Sequence, residues 1–298
     1  MKRFILYNPL SGSGRGENLA RKLDSILLGC ELIYINMLEI KDFGTFFSQI
    51  TEEDEVYICG GDGTLNNFVN QTQDITYKNK IYYFATGSGN DFLRDLGKEK
   101  GLSPFCINKY LENLPIVTVN DKDYRFFNGV GFGIDGFCCQ IAEDLREKNK
   151  KINYTAIVLK GFMRSYNPTN AKVWIDGKEF SYNKIWLAPT MKGRSYGGGL
   201  RLCPVQDRMN PDGSVTFMAV HNAGRLKILT KFPSIYKGTH LKLKDIVAYH
   251  SGHDITVEFE RPSPFQIDGE LIRNVKKYRV RTAKAIEDEK ISQTAETV

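Results

Sequence analysis

The stretch Gly60-Gly61-Asp62-Gly63-Thr64 follows the apolar run Val56-Tyr57-Ile58-Cys59 and precedes a helix-like segment that begins at Leu65. A strand that ends in a glycine loop at a helix N-terminus collects backbone N–H donors at the positive end of the helix dipole. Such a loop suits a phosphate group. The sequence therefore points to nucleotide chemistry.

Two further loops have the same character. Phe4-Ile5-Leu6-Tyr7 runs into Asn8-Pro9-Leu10-Ser11-Gly12-Ser13-Gly14-Arg15-Gly16, and Ile81-Tyr82-Tyr83-Phe84-Ala85 runs into Thr86-Gly87-Ser88-Gly89-Asn90-Asp91. In an open parallel sheet the carboxyl ends of the strands lie at one edge, and ligands bind in the crevice there. We therefore expect the three loops to share one pocket.

Neither standard phosphate-loop signature fits this chain. A Walker A loop needs Gly, four residues, Gly, Lys and then Ser or Thr, and no segment supplies that spacing. The first loop places Gly12 and Gly14 as a Rossmann loop would, but Glu17 occupies the third glycine position.

Composition indicates a globular protein with a mild preference for anionic partners. The chain has 298 residues, of which 41% are hydrophobic and 26% charged, with a net charge of +6. We see no dense basic run with interleaved aromatic residues, so nucleic acid is disfavoured as a partner. The six cysteines show no paired spacing, which favours reduced core residues in a cytoplasmic protein.

No segment has the length of a signal peptide or a membrane span. The apolar run behind Met1-Lys2-Arg3 ends at Asn8-Pro9, and nothing approaches the ~18 apolar residues of a spanning helix. We therefore expect a soluble or peripheral protein.

Residues 1–120 alternate strand and helix patterns, which predicts parallel βαβ units and a three-layer α/β nucleotide domain. The predicted strands are Phe4–Asn8, Leu32–Asn36, Val56–Cys59 and Ile81–Phe84. The predicted helices lie near Glu17–Leu28, Lys41–Gln49, Leu65–Gln71 and Asp91–Leu96.

The pattern changes after Pro115 to short strands separated by turn signals, which predicts a mostly antiparallel second domain over residues 121–285. Its candidate strands are Val117–Val119, Tyr124–Phe127, Lys172–Ile175, Lys184–Leu187, Val215–Val220, Ile255–Phe259 and Lys277–Val280. A helical region from Phe137 to about Arg164 is expected to cover the open face of the sheet. Residues 286–298 form a polar tail that we expect to be mobile.

Asp62 is the first candidate for chemistry. A carboxylate inside a phosphate loop would repel the phosphate unless a cation or water intervenes, so Asp62 fits a position beside Mg²⁺ or one that accepts a hydrogen bond from a hydroxyl. An ordinary Asp-Gly turn is the alternative. The whole motif after an apolar strand favours function.

Four other segments carry weaker signals. The third loop offers hydroxyls and N–H donors for phosphate. Alternate glycines from Asn128 to Gly136 fit either close approach of another backbone or a ligand, or a bulged strand against the interdomain hinge. Asp212 is a lone candidate ligand for a hard cation, and Gln266-Ile267-Asp268-Gly269-Glu270 reads first as a hairpin turn with solvated acids. The four histidines lack zinc-ligand spacing.

Taken together, these segments closely resemble the bacterial diacylglycerol kinase-like lipid kinases, which are relatives of sphingosine and ceramide kinases. The matching elements occur in the family's order across nearly the whole chain: Asn8-Pro9 with Ser11-Gly12, Gly60–Thr64 with Asn67, Gly87–Phe92, Asn128 with Gly133 and Asp135, Asp212-Gly213, and Asp268-Gly269-Glu270. Their joint agreement is far more specific than any one motif.

The resemblance implies a phosphofructokinase-like N-terminal domain, a C-terminal β-sandwich, and an active cleft between them. It implies ATP and Mg²⁺ as cofactors and a lipid hydroxyl as the acceptor. By position, Glu270 resembles the proton acceptor and Asp268 its partner, while Asp212, with Met209 and Ser214 beside it, resembles a Mg²⁺ site. A second, nucleotide-bound Mg²⁺ near Asp62 fits as well, and Asp62 is the other candidate base.

The resemblance also implies the nucleotide contacts, with two departures. Asn36 stands where the family tends to place a threonine near the nucleotide, and Ser88 replaces a threonine while keeping the hydroxyl. The implied contact residues are Asn8, Pro9, Ser11, Gly12, Asn36, Gly60, Gly61, Asp62, Gly63, Thr64, Asn67, Gly87, Ser88, Gly89, Asn90 and Asp91.

Several alternatives stay open. The acceptor could be diacylglycerol, another glycerolipid, a sphingoid base or an undecaprenol-like alcohol. NAD kinase, which also uses a Gly-Gly-Asp-Gly loop, and a non-catalytic lipid or nucleotide sensor are the rival functions. The stretch from Lys227 to Lys244 alternates cations with apolar residues, which fits either peripheral contact with the inner face of the membrane or a solvated helix. A homodimer is compatible with all of these.

Overall fold

The computed structural model describes residues 1–87, 89–101 and 103–296. The chain forms two compact units, Met1–Glu112 and a second unit from Asn113 onward. The sequence pattern placed this division at residue 120. The structure places it earlier because the strand Ile116–Val119 pairs within the sheet of the second unit.

The first unit contains a five-stranded sheet in the order β2-β1-β3-β4-β5. The first four of these strands are parallel, as the alternating pattern predicts, and the short β5 runs antiparallel beside β4. Every residue of β3 is buried, which explains its unbroken apolar run. The strands are β1 Arg3–Tyr7, β2 Leu32–Asn36, β3 Glu55–Gly60, β4 Lys80–Ala85 and β5 Phe105–Cys106.

The helices of the first unit differ in their bounds from those that the sequence pattern predicts. In place of one helix over Glu17–Leu28, the chain forms α2 and a 3-10 helix at Arg21–Ser25. Helix α4 begins at Asp62 rather than at Leu65, so the glycine loop itself supplies its first turn. The helices are α1 Ser11–Gly14, α2 Gly16–Ala20, α3 Phe43–Ser48, α4 Asp62–Gln71, α5 Asp91–Asp95 and α6 Asn108–Leu111, with a 3-10 turn at Met37–Glu39.

The second unit is built on an antiparallel sheet of ten strands, β6 to β15. Its long strand β14 pairs with β9 over Ile255–Phe259 and with β8 over Phe265–Ile267, so one strand serves two parts of the sandwich-like sheet. The strands are β6 Ile116–Val119, β7 Lys122–Arg125, β8 Gly129–Gly133, β9 Thr169–Ile175, β10 Lys178–Ile185, β11 Leu187–Met191, β12 Val215–Val220, β13 Val247–Gly252, β14 Asp254–Ile267 and β15 Glu270–Arg281.

Two apolar cores hold the second unit together. In the first core, the Phe132 ring stacks on Phe259 with centroids 4.2 Å apart and also contacts Phe265 and Tyr278. The second core packs helices against Trp186 and Met218, which are both buried. The helices are α7 Ile134–Glu147, α8 Tyr154–Lys160, α9 Arg225–Lys231, α10 Pro233–Tyr236 and α11 Ala283–Glu296, with a π-helical turn at Gly161–Ser165 and a 3-10 turn at His240–Lys242.

The alternate glycines Gly129, Gly131 and Gly133 lie in strand β8, where a neighbouring strand packs closely against them. A Cβ on Gly131 would lie 2.6 Å from the Cα of Pro189, and one on Gly133 would lie 2.6 Å from the carbonyl oxygen of Trp186. The neighbouring strand β11 therefore occupies the space that side chains would need. The glycines serve close strand packing, which was one of the two interpretations of this segment.

Three local predictions are corrected. The helical region predicted from Phe137 to Arg164 is interrupted at residues 148–153, with Asn149 in the left-handed conformation at φ 51°. The strand predicted at Tyr124–Phe127 lies two residues earlier, at Lys122–Arg125. The expected mobile tail forms α11 up to Glu296, where Glu289 pairs with Arg279 at 2.6 Å and with Arg281 at 3.1 Å.

Within the described residues, no helix combines the length and apolar character needed to cross a bilayer.

Candidate active site

Side-chain hydrogen bonds join the three glycine loops of the first unit. Asn8, after β1, donates from Nδ2 to the Thr64 hydroxyl, after β3, at 3.1 Å. The hydroxyls of Ser11 and Thr86, from the first and third loops, lie 2.7 Å apart. These contacts bring together residues up to 75 positions apart in sequence. The three loops therefore lie together at the carboxyl edge of the parallel sheet, and a ligand pocket shared by them stays a prediction.

The glycines of the second and third loops allow backbone to pack on backbone. A Cβ on Gly87 would lie 2.4 Å from the Cα of Gly61, and a Cβ on Gly60 would lie 2.2 Å from the Thr64 hydroxyl. The N–H groups of Thr86 and Gly87 both donate to the carbonyl of Gly60, at 2.8 and 3.0 Å. A side chain at Gly87 would force the two loops apart, and a side chain at Gly60 would clash with Thr64 within the second loop.

The Asp62 carboxylate connects the second loop to the helix after the third. Its Oδ2 accepts the N–H of Asp91 at 2.6 Å, and its Oδ1 accepts the N–H of Phe92 at 3.0 Å. Asp62 therefore caps α5 from outside the helix, since these are first-turn N–H groups with no intrahelical partner. An ionised carboxylate has about four acceptor positions, so capacity for a cation or a water remains.

The third loop is held by its own polar groups. Asn90 adopts a left-handed conformation, and its Nδ2 donates to the carbonyl of Gly87 at 2.8 Å. Lys100 Nζ donates to the same carbonyl at 2.5 Å. The buried Asp91 accepts a hydrogen bond from Arg94, three residues later in α5, at 2.8 Å. Ser88, predicted to contact the nucleotide, lies outside the described residues.

The other residues of the first unit that were predicted to contact the nucleotide differ from one another in exposure and in hydrogen bonding. Pro9 and Gly63 are half-buried within the first and second loops, and Asn67 is exposed on α4. Gly12 takes a left-handed φ of 58°. Asn36 lies at the carboxyl end of β2, but its amide is already used locally: Oδ1 accepts from Leu38 N–H at 3.1 Å, and Nδ2 donates to Glu39 at 2.8 Å.

In the second unit, Asp268 organises the predicted catalytic turn. Its Oδ2 accepts the N–H of Phe127 at 2.5 Å, and its Oδ1 accepts those of Asn128 and Gly129 at 2.8 and 2.9 Å. Asp268 itself is left-handed at φ 48°. The carboxylate therefore fastens the β14–β15 turn to the start of β8.

Glu270 follows on the exposed side of the same turn. Its side chain makes no hydrogen bond or ion pair with any residue that the structure describes. The carboxylate therefore keeps all its acceptor capacity.

A buried relay supports the turn from behind. Gln266 accepts the N–H of Gly269 at 2.8 Å and donates to Asp135 at 3.3 Å, and Tyr196 donates to the same Asp135 oxygen at 2.5 Å. Burial raises the pKa of the Asp135 carboxyl, although the bond from Tyr196 opposes that shift. The relay links helix α7, the Gly197–Gly199 loop and the Asp268–Glu270 turn.

Two buried cations lie close to this turn. Arg208 donates to the carbonyl of Phe127 and to Oδ1 of Asn128, both at 2.8 Å. Lys192 donates its backbone N–H to the carbonyl of Asn128 at 2.9 Å. Burial lowers the pKa of the Lys192 ammonium, and the charge of Arg208 lowers it further.

The oxygens predicted to bind Mg²⁺ in the second unit already accept protein hydrogen bonds, and the Mg²⁺ site there stays a prediction. The carbonyl of Ser214 already accepts N–H groups from Gln206 at 3.1 Å and Asn210 at 3.0 Å, and Oδ1 of Asp212 accepts the N–H of Ser214 at 3.0 Å. That last bond holds the pKa of Asp212 below its usual range. Met209 is exposed beside them. Among the described residues, no three His, Cys, Asp or Glu side chains cluster as metal ligands.

Sequence reasoning missed three polar residues that shape these sites: Lys192, Tyr196 and Arg208. Thr86 and Gln266 lie within recognised motifs, but the sequence pattern predicted no hydrogen-bond partner for either of them. Lys192 and Arg208 gave no signal, because a lone cation in a loop is normally solvated.

Comparison with known proteins agrees with both halves of this arrangement. The family described as "Diacylglycerol kinase catalytic domain" matches residues 2–114. The family described as "YegS C-terminal NAD kinase beta sandwich-like domain" matches residues 128–283, more than half of the chain.

Individual relatives point the same way. The chain is 26% identical over 252 residues to a diacylglycerol kinase of Mycobacterium tuberculosis, covering 81% of this chain and 80% of that protein. It is 27% identical over 228 residues to a diacylglycerol kinase of Bacillus subtilis, covering 74% and 72%. The crystal structure of a diacylglycerol kinase from Bacillus anthracis aligns with a TM-score of 0.59 at 16% identity, covering 94% and 93%, and supports the fold. This chain belongs to the diacylglycerol kinase-like lipid kinase family and is a kinase.

Proposed function

We propose that this lipid kinase transfers the γ-phosphoryl group of ATP to the hydroxyl of diacylglycerol, giving phosphatidic acid and ADP. The observation that carries the proposal is the joining of three strand-end glycine loops into one assembly at the N-terminus of α4, by the Asn8–Thr64, Ser11–Thr86 and Asp62–Asp91 contacts. Such an assembly presents backbone N–H groups and a helix dipole to phosphate. Family membership supplies the lipid acceptor.

Phosphoryl transfer depends mainly on positioning and on neutralisation of charge. The loop N–H groups and hydroxyls would hold the phosphates, and Asp62 has acceptor capacity left for Mg²⁺ or one of its waters. Mg²⁺ bound with the nucleotide would neutralise phosphate charge. No catalytic step is assigned to a metal at Asp212.

Glu270 is the better candidate for the base. Both oxygens of Asp62 already accept backbone N–H groups, whereas the Glu270 side chain is exposed and has no partner among the described residues. Glu270 would take the proton from the attacking hydroxyl as the oxygen–phosphorus bond forms. The bond to the β-phosphate oxygen breaks, and ADP leaves.

The test supplies purified protein with ATP, Mg²⁺ and diacylglycerol in detergent micelles and measures lipid phosphate. We expect Glu270→Gln to lower turnover by roughly 10²- to 10⁴-fold, the usual contribution of a positioned base. Glu287→Gln, an exposed glutamate on α11, is the matched control and should turn over normally.

Full turnover by Glu270→Gln would assign the base elsewhere. Transfer of phosphate to NAD but not to lipid would overturn the lipid assignment in favour of an NAD kinase. If diacylglycerol is not phosphorylated, labelled ATP with a total lipid extract identifies the true lipid alcohol and refutes diacylglycerol.

A further inference from the structure

Asn128 lies beside the Asp268–Glu270 turn and is buried, with 2% of its surface exposed. Both of its backbone hydrogen-bonding groups are used within the protein. The N–H donates to Asp268 Oδ1 at 2.8 Å, and the carbonyl accepts the N–H groups of Lys192 and Gly193 at 2.9 and 3.0 Å. The backbone of Asn128 is therefore fixed on two sides, by the residues that follow β14 and β11.

Arg208 fixes the orientation of the Asn128 side chain. Nη2 of Arg208 donates to Oδ1 of Asn128, and Nη1 donates to the carbonyl of Phe127, both at 2.8 Å. A guanidinium donates hydrogen bonds but cannot accept them, so the amide atom that faces Arg208 must be the oxygen. Arg208 is itself only 5% exposed and lies over the Phe127 ring, 5.8 Å from its centroid. The amide nitrogen of Asn128 is consequently turned away from Arg208.

This amide nitrogen, Nδ2, carries two N–H donors. It makes no hydrogen bond with any residue that the structure describes, although the other three polar groups of Asn128 are all bonded. A donor on a buried side chain costs free energy when it stays unsatisfied. We therefore expect its partner to be an oxygen from outside the chain.

We propose that Nδ2 of Asn128 donates to the carbonyl oxygen of the acyl ester next to the reactive hydroxyl of diacylglycerol, and that Arg208 is the positioning residue that presents this donor. The proposal rests on the proposed function, in which the hydroxyl lies at Glu270, two residues after the Asp268 that binds the Asn128 backbone. In diacylglycerol the carbon next to the hydroxymethyl group carries an ester. A lipid whose hydroxyl faces Glu270 therefore brings that ester carbonyl to the same turn.

Two lipids that differ only at the ester test the donor. Rates with ATP and Mg²⁺ in detergent micelles compare dioctanoylglycerol with dioctylglycerol, the ether analogue that keeps the hydroxyl but lacks the carbonyl. The unmodified chain should prefer the ester by about 10- to 100-fold in kcat/KM, the usual effect of leaving one buried donor unpaired. Asn128→Ala should remove this ester preference, because the donor is gone.

Asn128→Asp separates the donor from the bond to Arg208. The carboxylate keeps an oxygen for Arg208, in a charge-assisted bond, but replaces Nδ2 by a second acceptor. We expect this variant to lose the ester preference as well. If Asn128 served only to hold Arg208, Asn128→Asp would keep the full preference, and the proposal would be wrong.

The positioning role of Arg208 has its own test. Arg208→Lys keeps the positive charge but not the planar fork that holds two acceptors at once. It should lower kcat/KM for dioctanoylglycerol several-fold and reduce the ester preference. Combined with Asn128→Ala, it should bring little further loss, because Arg208 acts through Asn128. Losses that add in full would assign Arg208 an independent role.

Asn183→Asp, at an exposed position on β10, is the matched control and should keep the ester preference. Thermal melting verifies that each variant folds, and if Asn128→Ala does not, Asn128→Asp decides the question. An unmodified chain that phosphorylates the ether as well as the ester would overturn this inference and leave the lipid kinase function standing. Phosphorylation of neither lipid would refute the proposed function, and this inference with it.

Discussion

Asp62 Oδ2 accepts the backbone N–H of Asp91 at 2.6 Å, so the carboxylate of the second loop holds the first turn of the helix that follows the third. The motif that reads as a phosphate loop thus also carries a structural bond. Removing the charge should affect both stability and nucleotide affinity.

For Asp62→Asn we expect the free energy of unfolding to fall by about 1–2 kcal/mol, because a neutral amide oxygen can replace only one of two charge-assisted acceptors. Urea unfolding measures this loss, and ATP affinity should fall with it. Asp74→Asn, at an exposed position, should change stability by less than about 0.5 kcal/mol. Equal midpoints for both variants would mean that the cap contributes nothing.

Gly87→Ala should destabilise the first unit by about 2 kcal/mol or more, because the new Cβ would lie 2.4 Å from the Cα of Gly61, where backbone cannot move aside cheaply. Gly89→Ala is the matched change in the same loop. Its Cβ would meet Asp62 Oδ2 at 3.6 Å, an ordinary contact. Thermal unfolding should separate the two variants by several degrees, and similar melting temperatures would count against the backbone contact.

Substitution of Asp268 should lower the stability of the protein more than substitution of Glu270 in the same turn. Asp268→Asn should cost about 1–3 kcal/mol of stability, since its amide would oppose one of the three N–H groups now bound. Glu270→Gln should leave stability within about 0.5 kcal/mol, because its side chain is exposed. Denaturant titration of both variants decides this; a large loss in Glu270→Gln would show that it, too, holds the turn.

Asp135 should make stability fall as the pH rises. Its pKa is raised in the folded protein, chiefly by burial, above the value near 3.9 of an unfolded aspartate. Between those two values the native state holds the proton more tightly, so the favourable contribution is complete below about pH 4 and is lost as the pH climbs through the folded pKa. Asp135→Asn keeps the acceptor for Tyr196 and cannot ionise.

The variant should therefore lack this part of the pH dependence. The measurement compares urea midpoints across the acidic range for the two proteins. Parallel curves would show that the pKa of Asp135 is unchanged on folding.

Local sequence patterns were sufficient to predict the parallel sheet and its three loops. An apolar run that ends in Gly-Gly-Asp-Gly encodes a strand, a turn and a helix start within ten residues, and β3 and α4 follow that order. The long-range bonds could not be predicted this way. Asp62 reaches residues 29 and 30 positions away, and Asp268 reaches residues about 140 positions away.

The errors have two different causes. The tail from Glu287 was expected to be mobile because its partners, Arg279 and Arg281, belong to a strand rather than to the tail itself. The helical region after Phe137 has apolar spacing on both sides of a break at residues 148–153, and Asn149 turns the chain there with a left-handed backbone. The spacing of apolar residues indicates which face of a helix is buried, but it does not show where the helix is interrupted.

The direct contact between Gly61 and Gly87 has a mechanical consequence. The main chains of the two loops touch with no side chain between them, and Asp62 also accepts the N–H of Phe92. The two loops should therefore respond to a nucleotide as one rigid unit. Hydrogen exchange of their backbone amides should slow in both loops together when the nucleotide binds.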